Sequence, residues 1–165
     1  MFISVQSANN ITKEIKGVEL MSESGDTVKL LRECDAGIKM GISSINEVLD
    51  NVHDDEFKSK LIDCRNQHEK LADEIEDLLE AHRDEGKSPN PMIKGMSWIK
   101  TNVKLAADNS DKTIADLMTD GANMGVKSLS RYINQYRSAD DKSRDISNRL
   151  VDIEARLSTD MRRYL

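Results

Sequence analysis

The chain has 165 residues and carries 24 Lys and Arg against 30 Asp and Glu, a net charge of −6. Its apolar content of 38% is low and its charged content of 33% is high, which fits helices with solvated outer faces better than a sheet protein. The acidic balance argues against a nucleic-acid binder, and two cysteines do not make a disulfide framework. No apolar run approaches the roughly 18 residues of a membrane span, so we expect a cytoplasmic protein without membrane insertion.

The first 25 residues are expected to form a flexible N-terminal extension, and residues 1–20 have weak periodicity. Lys16-Gly17-Val18 can be back-translated to AAAGGAGT, which resembles a bacterial ribosome-binding site shortly before the codon of Met21. One hypothesis is that translation starts at Met21, so that residues 1–20 are not part of the native protein. The other is that they are a natural tail, and the intact mass of the natively expressed protein distinguishes the two.

Residues 26–165 carry the periodic pattern of four long amphipathic helices. Apolar residues recur every three or four positions in stretches at about 26–52, 55–85, 111–137 and 140–164. Asp54 and the polar run at 108–111 are suitable N-caps for the second and third helices. Ser138-x-x-Asp141 resembles a capping box for the fourth, and Gly86 is a stop signal for the second.

One pattern occurs twice, in the first and third of these helices. Residues 37–45 (GIKMGISSI) and 121–129 (GANMGVKSL) both read G-x-x-M-G-[IV]-x-S-[IL]. The chain therefore looks like two copies of a helical hairpin, 26–84 and 111–165. Residues 85–110 then join the hairpins, and a shorter helix predicted at about 92–107 lets this connection run back along a bundle roughly 40 Å long.

Three short patterns, together with the paired hairpins, carry a resemblance to a known superfamily: Leu31-x-x-Cys34-x-x-Gly37-x-x-x-Gly41, His68-x-x-Leu71 and Gly95-x-x-Trp98. Over residues 26–165 the chain resembles the ferritin-like superfamily, and more narrowly small bacterial ferritin-like proteins of unknown function. The resemblance implies an all-α four-helix bundle of two pseudo-symmetric hairpins, joined by a long crossover that contains a short helix.

Ferritin-like metal sites take one Glu from each of the first and third helices and Glu-x-x-His from the second and fourth. This chain departs from that pattern, since Glu33 aligns with Leu117 and the repeated positions are glycine, methionine and serine. Arg65 stands where a Glu would precede His68, and the nearest match to His68 on the fourth helix is Glu154 or Ile153. We therefore predict no catalytic residue, cofactor or di-metal centre, with iron or manganese at His68 and Glu154 as the alternative.

His68 lies on an apolar stripe, which leaves two interpretations open. Antiparallel pairing about a turn near residue 53 places it opposite Ile38 to Gly41, where there is no carboxylate ligand. The favoured interpretation is a core histidine that is hydrogen-bonded across the bundle to Glu154. The alternative is a metal ligand, which would need several convergent partners.

Cys34 and Cys64 both lie on inward-facing stripes of the predicted helices. The same antiparallel register separates them by about 14 Å along the bundle axis, whereas a disulfide needs Cα atoms within roughly 7 Å. We therefore predict two buried free thiols. Neither has an evident activating base, so a cysteine nucleophile is not expected.

Four glycines lie inside the predicted helices, where each costs about 1 kcal/mol relative to alanine: Gly37, Gly41, Gly121 and Gly125. The favoured explanation is a close approach of the first and third helices where they cross. The other explanation is room for a small ligand at the bundle centre, in a pocket that Met40 and Met124 would line.

Tyr132 and Tyr136 lie on the core stripe, which favours packing over stacking on RNA.

The leading functional hypothesis is a non-catalytic bundle that acts through contacts with another protein or with a second copy of itself, as in a homodimer. One alternative is a divergent ferritin-like metal-binding protein or oxidoreductase centred on His68. A second alternative is a small-ligand carrier with a mid-bundle pocket.

Overall fold

A computed structural model of the chain describes residues 4–84, 86 and 108–165, and before Gly25 it describes only the backbone except at positions 13, 14, 16 and 17. Every regular element in these ranges is helical, as the sequence predicted: α1 Ser4–Val48, α2 Asp55–Ala81, α3 Asp111–Gln135 and α4 Asp141–Met161, with short 3₁₀ turns at Leu49–Asn51 and Arg162–Tyr164. None of the helices in the described ranges is both long and apolar enough to cross a membrane. The helix predicted at about 92–107 and the Gly95-x-x-Trp98 pattern lie outside the described residues.

Short polar side chains define the starts of three helices. Asp54 accepts a hydrogen bond from the backbone N–H of Phe57 at 2.7 Å, and Ser110 accepts one from Thr113 at 3.3 Å, as predicted. The predicted cap at Ser138 is wrong, because Asp140 is the N-cap of α4. The Asp140 carboxylate accepts from the N–H of Ser143 at 2.7 Å, while the N–H of Ser138 donates instead to Asp26 on α1 at 3.1 Å.

Several helix boundaries differ from those that the sequence pattern predicted, most of all the start of α1. The α1 backbone is helical from Ser4 instead of from about residue 26. In the other direction, α2 ends at Ala81, before the predicted end at about residue 85. Arg83 has φ of +57° and Gly86 has φ of +76°, so the chain has already left the helical conformation when it reaches the glycine.

Polar contacts at the two ends of the bundle fix its topology. At one end the Asp111 carboxylate, at the start of α3, accepts the backbone N–H groups of His53 and Asp54, each at 2.8 Å. At the other end the N–H of Asp140 donates to Thr27 Oγ1 at 2.8 Å. Both α2 and α3 therefore start at the 49–54 end and run parallel to each other, while α1 and α4 run the opposite way. The closest packing is within the α1–α2 and α3–α4 hairpins, and α2 also packs against α4.

The core is divided into two apolar clusters along the bundle axis. The first cluster lies toward the 49–54 end: Ile45, Val48, Leu49, Val52, Phe57, Leu61, Cys64, Ile114, Ala115, Met118, Ala122, Leu157 and Met161. The second cluster lies toward the turn between α3 and α4: Leu30, Leu31, Cys34, Ile38, Leu71, Ile75, Leu79, Leu129, Ala139, Ile146 and Leu150. The residues between the two clusters therefore occupy the centre of the bundle.

Candidate functional site

A single layer of four residues separates the two core clusters: Gly41, His68, Gly125 and Glu154. On each helix the layer residue falls between one residue of each cluster: Ile38 and Ile45 on α1, Cys64 and Leu71 on α2, Ala122 and Leu129 on α3, Leu150 and Leu157 on α4. Each hairpin thus contributes one glycine and one polar side chain. The layer has the pseudo-two-fold arrangement that the repeated sequence pattern predicts.

His68 and Glu154 contact each other at the centre of this layer. His68 Nε2 lies 3.0 Å from Glu154 Oε1. The two side chains are 1% and 11% exposed, so the pair is almost completely removed from water. The contact between His68 and Glu154, predicted from the internal repeat, is confirmed.

The hydrogen bonds of the imidazole ring define how many protons the pair holds. His68 Nδ1 lies 2.9 Å from the backbone carbonyl oxygen of Cys64, which can only accept, so Nδ1 carries a proton and donates it. The 3.0 Å contact between Nε2 and the carboxylate needs one further proton between the two atoms. The pair is net neutral wherever that proton lies, and this is the condition under which burying two ionisable groups is tolerable.

The surroundings of His68 raise the pKa of its imidazole to about 10. Burial is the largest single influence and lowers the pKa, because it disfavours the charged ring. The hydrogen bonds to Cys64 and Glu154, together with the attraction to the Glu154 charge, outweigh burial and leave the pKa raised. The raised pKa of His68 therefore keeps the proton within the pair near neutral pH.

The glycines of this layer make room for side chains. A Cβ added to Gly41 would lie 2.9 Å from His68 Nε2, and one added to Gly125 would lie 3.1 Å from the Glu154 side chain. The nearest atoms in both cases belong to these side chains and not to the backbone of a crossing helix, so close backbone approach of α1 and α3 is not what glycine serves at these two positions. Gly37 has nothing within 4 Å of such a Cβ, and Gly121 is half-buried.

The two cysteines are buried and free, as predicted. Cys34 Sγ lies 3.1 Å from Ser147 Oγ, and that hydroxyl donates to the carbonyl of Ser143 at 2.7 Å. Burial raises the pKa of the Cys34 thiol to about 11, which keeps it protonated and unreactive.

Cys64 has a neighbour that the sequence analysis did not consider. Its Sγ lies 3.6 Å from His68 Nδ1, one helical turn away on the same face of α2. The spacing of four residues was the available signal, because side chains four apart on a helix meet. The Nδ1 proton is already directed at the Cys64 carbonyl at 2.9 Å, so this histidine is poorly placed to take a proton from the thiol.

The centre offers few ligands to a metal ion. No group of three or more His, Cys, Asp or Glu side chains that could hold a metal is found among the residues that the structure describes. Arg65, at the position where a ferritin-like site would have Glu, turns outward and donates to Asn46 on α1 at 2.9 Å. The absence of a bound metal remains a prediction.

The two methionines that were predicted to line a central ligand pocket, Met40 and Met124, do not both face the interior of the bundle. Met124 is 51% exposed, so it does not line the interior as the carrier hypothesis required, and Met40 is half-buried. The space beside Gly41 and Gly125 is already occupied by His68 and Glu154.

Tyr132 and Tyr136 stack on each other with ring centroids 6.2 Å apart and pack against the second cluster. Their prediction as packing residues is confirmed.

Fold and centre together define a class: a four-helix bundle of two helical hairpins with a buried histidine–carboxylate pair at its centre. Comparisons with protein-family models, with curated proteins and with solved structures gave no match.

Proposed function

We propose that this protein is a non-catalytic cytoplasmic bundle that works through contacts with other proteins or with a second copy of itself. The observation that carries the proposal is the closed centre. In a ferritin-like protein the reactive metals lie between the four helices, and here that position holds a histidine and a glutamate that satisfy each other at 3.0 Å. Because His68 Nε2 and Glu154 Oε1 are engaged with each other, neither atom is free to bind a metal ion while the contact is made.

The direction of the helices supports a ferritin-like scaffold for this function. The parallel arrangement of α2 and α3 requires a connection that travels from one end of the bundle to the other, as the ferritin-like crossover does. The matched layer positions of the two hairpins support the same scaffold. Its occupants, two glycines with His68 and Glu154, differ from the metal-binding set, which favours a scaffold kept without its metal chemistry.

The first helix supports a role in protein contacts. The α1 backbone is helical from Ser4, and Asp26 on the same helix accepts a hydrogen bond from the turn between α3 and α4. Roughly 30 Å of helix lies between Ser4 and this contact, at 1.5 Å per residue. Lys13, Glu14 and Lys16 are exposed, and nothing lies within 4 Å of a Cβ built on Gly17. A helix of this kind is a suitable element for a partner to pack against.

Light scattering coupled to size-exclusion chromatography tests the proposal on the full chain and on a chain that starts at Met21. One copy has a mass of 18.6 kDa. We expect the full chain to form an assembly of higher mass, either with itself or with a stoichiometric partner from its native cells. The chain that starts at Met21 should lose part of that association. A full chain that stays at 18.6 kDa and retains no partner contradicts the proposal.

A further inference from the structure

The two hairpins of the bundle share a charged contact in their interior. His68 belongs to the α1–α2 hairpin and Glu154 to the α3–α4 hairpin. Two other ion pairs between α2 and α4 lie nearer the surface: Arg149 with Glu74, whose side chains are 44% and 45% exposed, and Lys60 with Asp160, at 30% and 36%. Water therefore screens the central pair less than it screens these two.

This contact depends on a single proton. With Nδ1 donating to the Cys64 carbonyl, the contact to Glu154 exists only while one proton lies between Nε2 and Oε1. Without it, the lone pair of Nε2 faces the charged carboxylate at 3.0 Å in a site that water hardly reaches. Two acceptors at that distance repel each other, and the buried carboxylate loses its counter-charge.

The neighbours in the layer cannot replace the lost proton. Gly41 on α1 and Gly125 on α3 present no side chain, and the residues on either side of them in the core are apolar. Among the described residues, the titratable groups that act on His68 are Glu154 and the Cys64 thiol on its own helix. Neither of them carries a positive charge.

We propose that the proton shared by His68 and Glu154 is a conformational switch, which keeps the two hairpins together when present and lets them separate between α2 and α4 when it is lost. Each hairpin keeps its own apolar stripe and its backbone hydrogen bonds, so helicity should outlast the packing between hairpins. The direction of the switch follows from the raised pKa of His68. Its stabilising effect is complete below about pH 6.5, the ordinary value for histidine, and is lost as the pH rises toward about 10.

Thermal unfolding of the wild type and of the double variant His68→Gln/Glu154→Gln tests this inference. The two amides can hydrogen-bond across the layer but cannot titrate, so alkaline effects elsewhere in the chain cancel in the comparison. Between about pH 7 and pH 10 we expect the Tm of the wild type to fall by roughly 5–10 °C more than that of the variant. Far-UV circular dichroism of the wild type below its Tm should show little loss of helix. Parallel falls in Tm would overturn the inference.

A measurement on the wild type alone keeps the inference testable if the variant does not fold. The imidazole nitrogen shifts of His68 can be followed by NMR during an alkaline titration. We expect them to move in a step well above pH 6.5, the ordinary value for histidine, because the pKa of His68 is raised. A step centred near pH 6.5 would show that the pair does not hold the proton and that the proposal is wrong.

Discussion

At the scale of single residues, the glycines at the centre of the bundle leave space that polar side chains fill. A glycine inside a helix costs about 1 kcal/mol relative to alanine. At Gly41 and Gly125 this cost makes room for His68 and Glu154, whose nearest atoms lie only 2.9 Å and 3.1 Å from the position that a Cβ would take. The polar pair and the two glycines are therefore one feature of the sequence.

The substitution Gly41→Ala tests that connection. Its new Cβ would lie 2.9 Å from His68 Nε2, and the ring is held by hydrogen bonds on both nitrogens. Steric strain of roughly 1–3 kcal/mol should exceed the gain in helix propensity, so we expect a net loss of about 1–2 kcal/mol in the free energy of unfolding. Gly37→Ala is the matched control, because nothing lies within 4 Å of its Cβ. It should gain up to about 1 kcal/mol in urea denaturation, and equal effects at the two sites would contradict the account.

Removing one member of the central pair should cost more than removing both. His68→Ala leaves the Glu154 carboxylate buried without its partner, which typically costs about 3–5 kcal/mol. The double variant His68→Leu/Glu154→Leu removes both polar groups and fills the layer with apolar atoms, so it should be close to the wild type or more stable. Chemical denaturation of the three proteins measures this order. A double variant less stable than His68→Ala would show that the His68–Glu154 interaction itself stabilises the bundle. The cost of leaving one buried charge unpaired would then not explain the effect of His68→Ala.

Part of this layer could be predicted from the sequence. The repeat matched His68 with Glu154 or Ile153, and the antiparallel register placed His68 opposite the stretch from Ile38 to Gly41, because both arguments need only helical spacing. The role of Gly41 and Gly125 could not be predicted from helical spacing. It depends on how far the His68 and Glu154 side chains reach across the bundle, and a one-dimensional pattern does not contain that distance.

At the scale of the helices, short polar residues at the N-termini set the boundaries more sharply than the apolar stripes do. The stripes fix which face of a helix is buried but continue smoothly past its ends. Asp54 and Ser110 were recognisable because each directly precedes a periodic stretch. Ser138 was misassigned because Asp140, two residues later, is as good a cap and its backbone N–H is bonded to Thr27 on α1. That tertiary contact is invisible to local sequence rules.

The fourth helix gives a direct test of the cap assignment. Asp140→Ala removes the acceptor of the 2.7 Å bond from the N–H of Ser143, so stability should fall by about 1 kcal/mol. Ser138→Ala is the control, because the contact of Ser138 to Asp26 is made by its backbone N–H and survives the substitution. It should change stability by less than about 0.5 kcal/mol. Guanidinium denaturation of the two variants distinguishes the assignments, and a larger loss for Ser138→Ala would restore the original prediction.

At the scale of the whole molecule, the all-helical architecture was predictable because long, regular stripes are the strongest signal that a sequence contains. The relative direction of the helices was also accessible, since the internal repeat implied two hairpins and a long connection. The start of α1 could not be predicted from the sequence, because residues 1–20 show little periodicity although their backbone is helical from Ser4. Function was the least accessible property, because the sequence contains no recognisable set of catalytic or metal-binding residues.

The central claim is that the middle of this bundle is closed by a self-satisfied ion pair and does not work as a metal centre. Elemental analysis of the protein purified without chelators tests it most directly, with His68→Ala and the exposed-histidine control His82→Ala measured alongside. The account predicts far less than one iron or manganese ion per chain in all three proteins. About one ion or more per chain in the wild type and in His82→Ala, lost in His68→Ala, would contradict it and identify a ferritin-like metal protein.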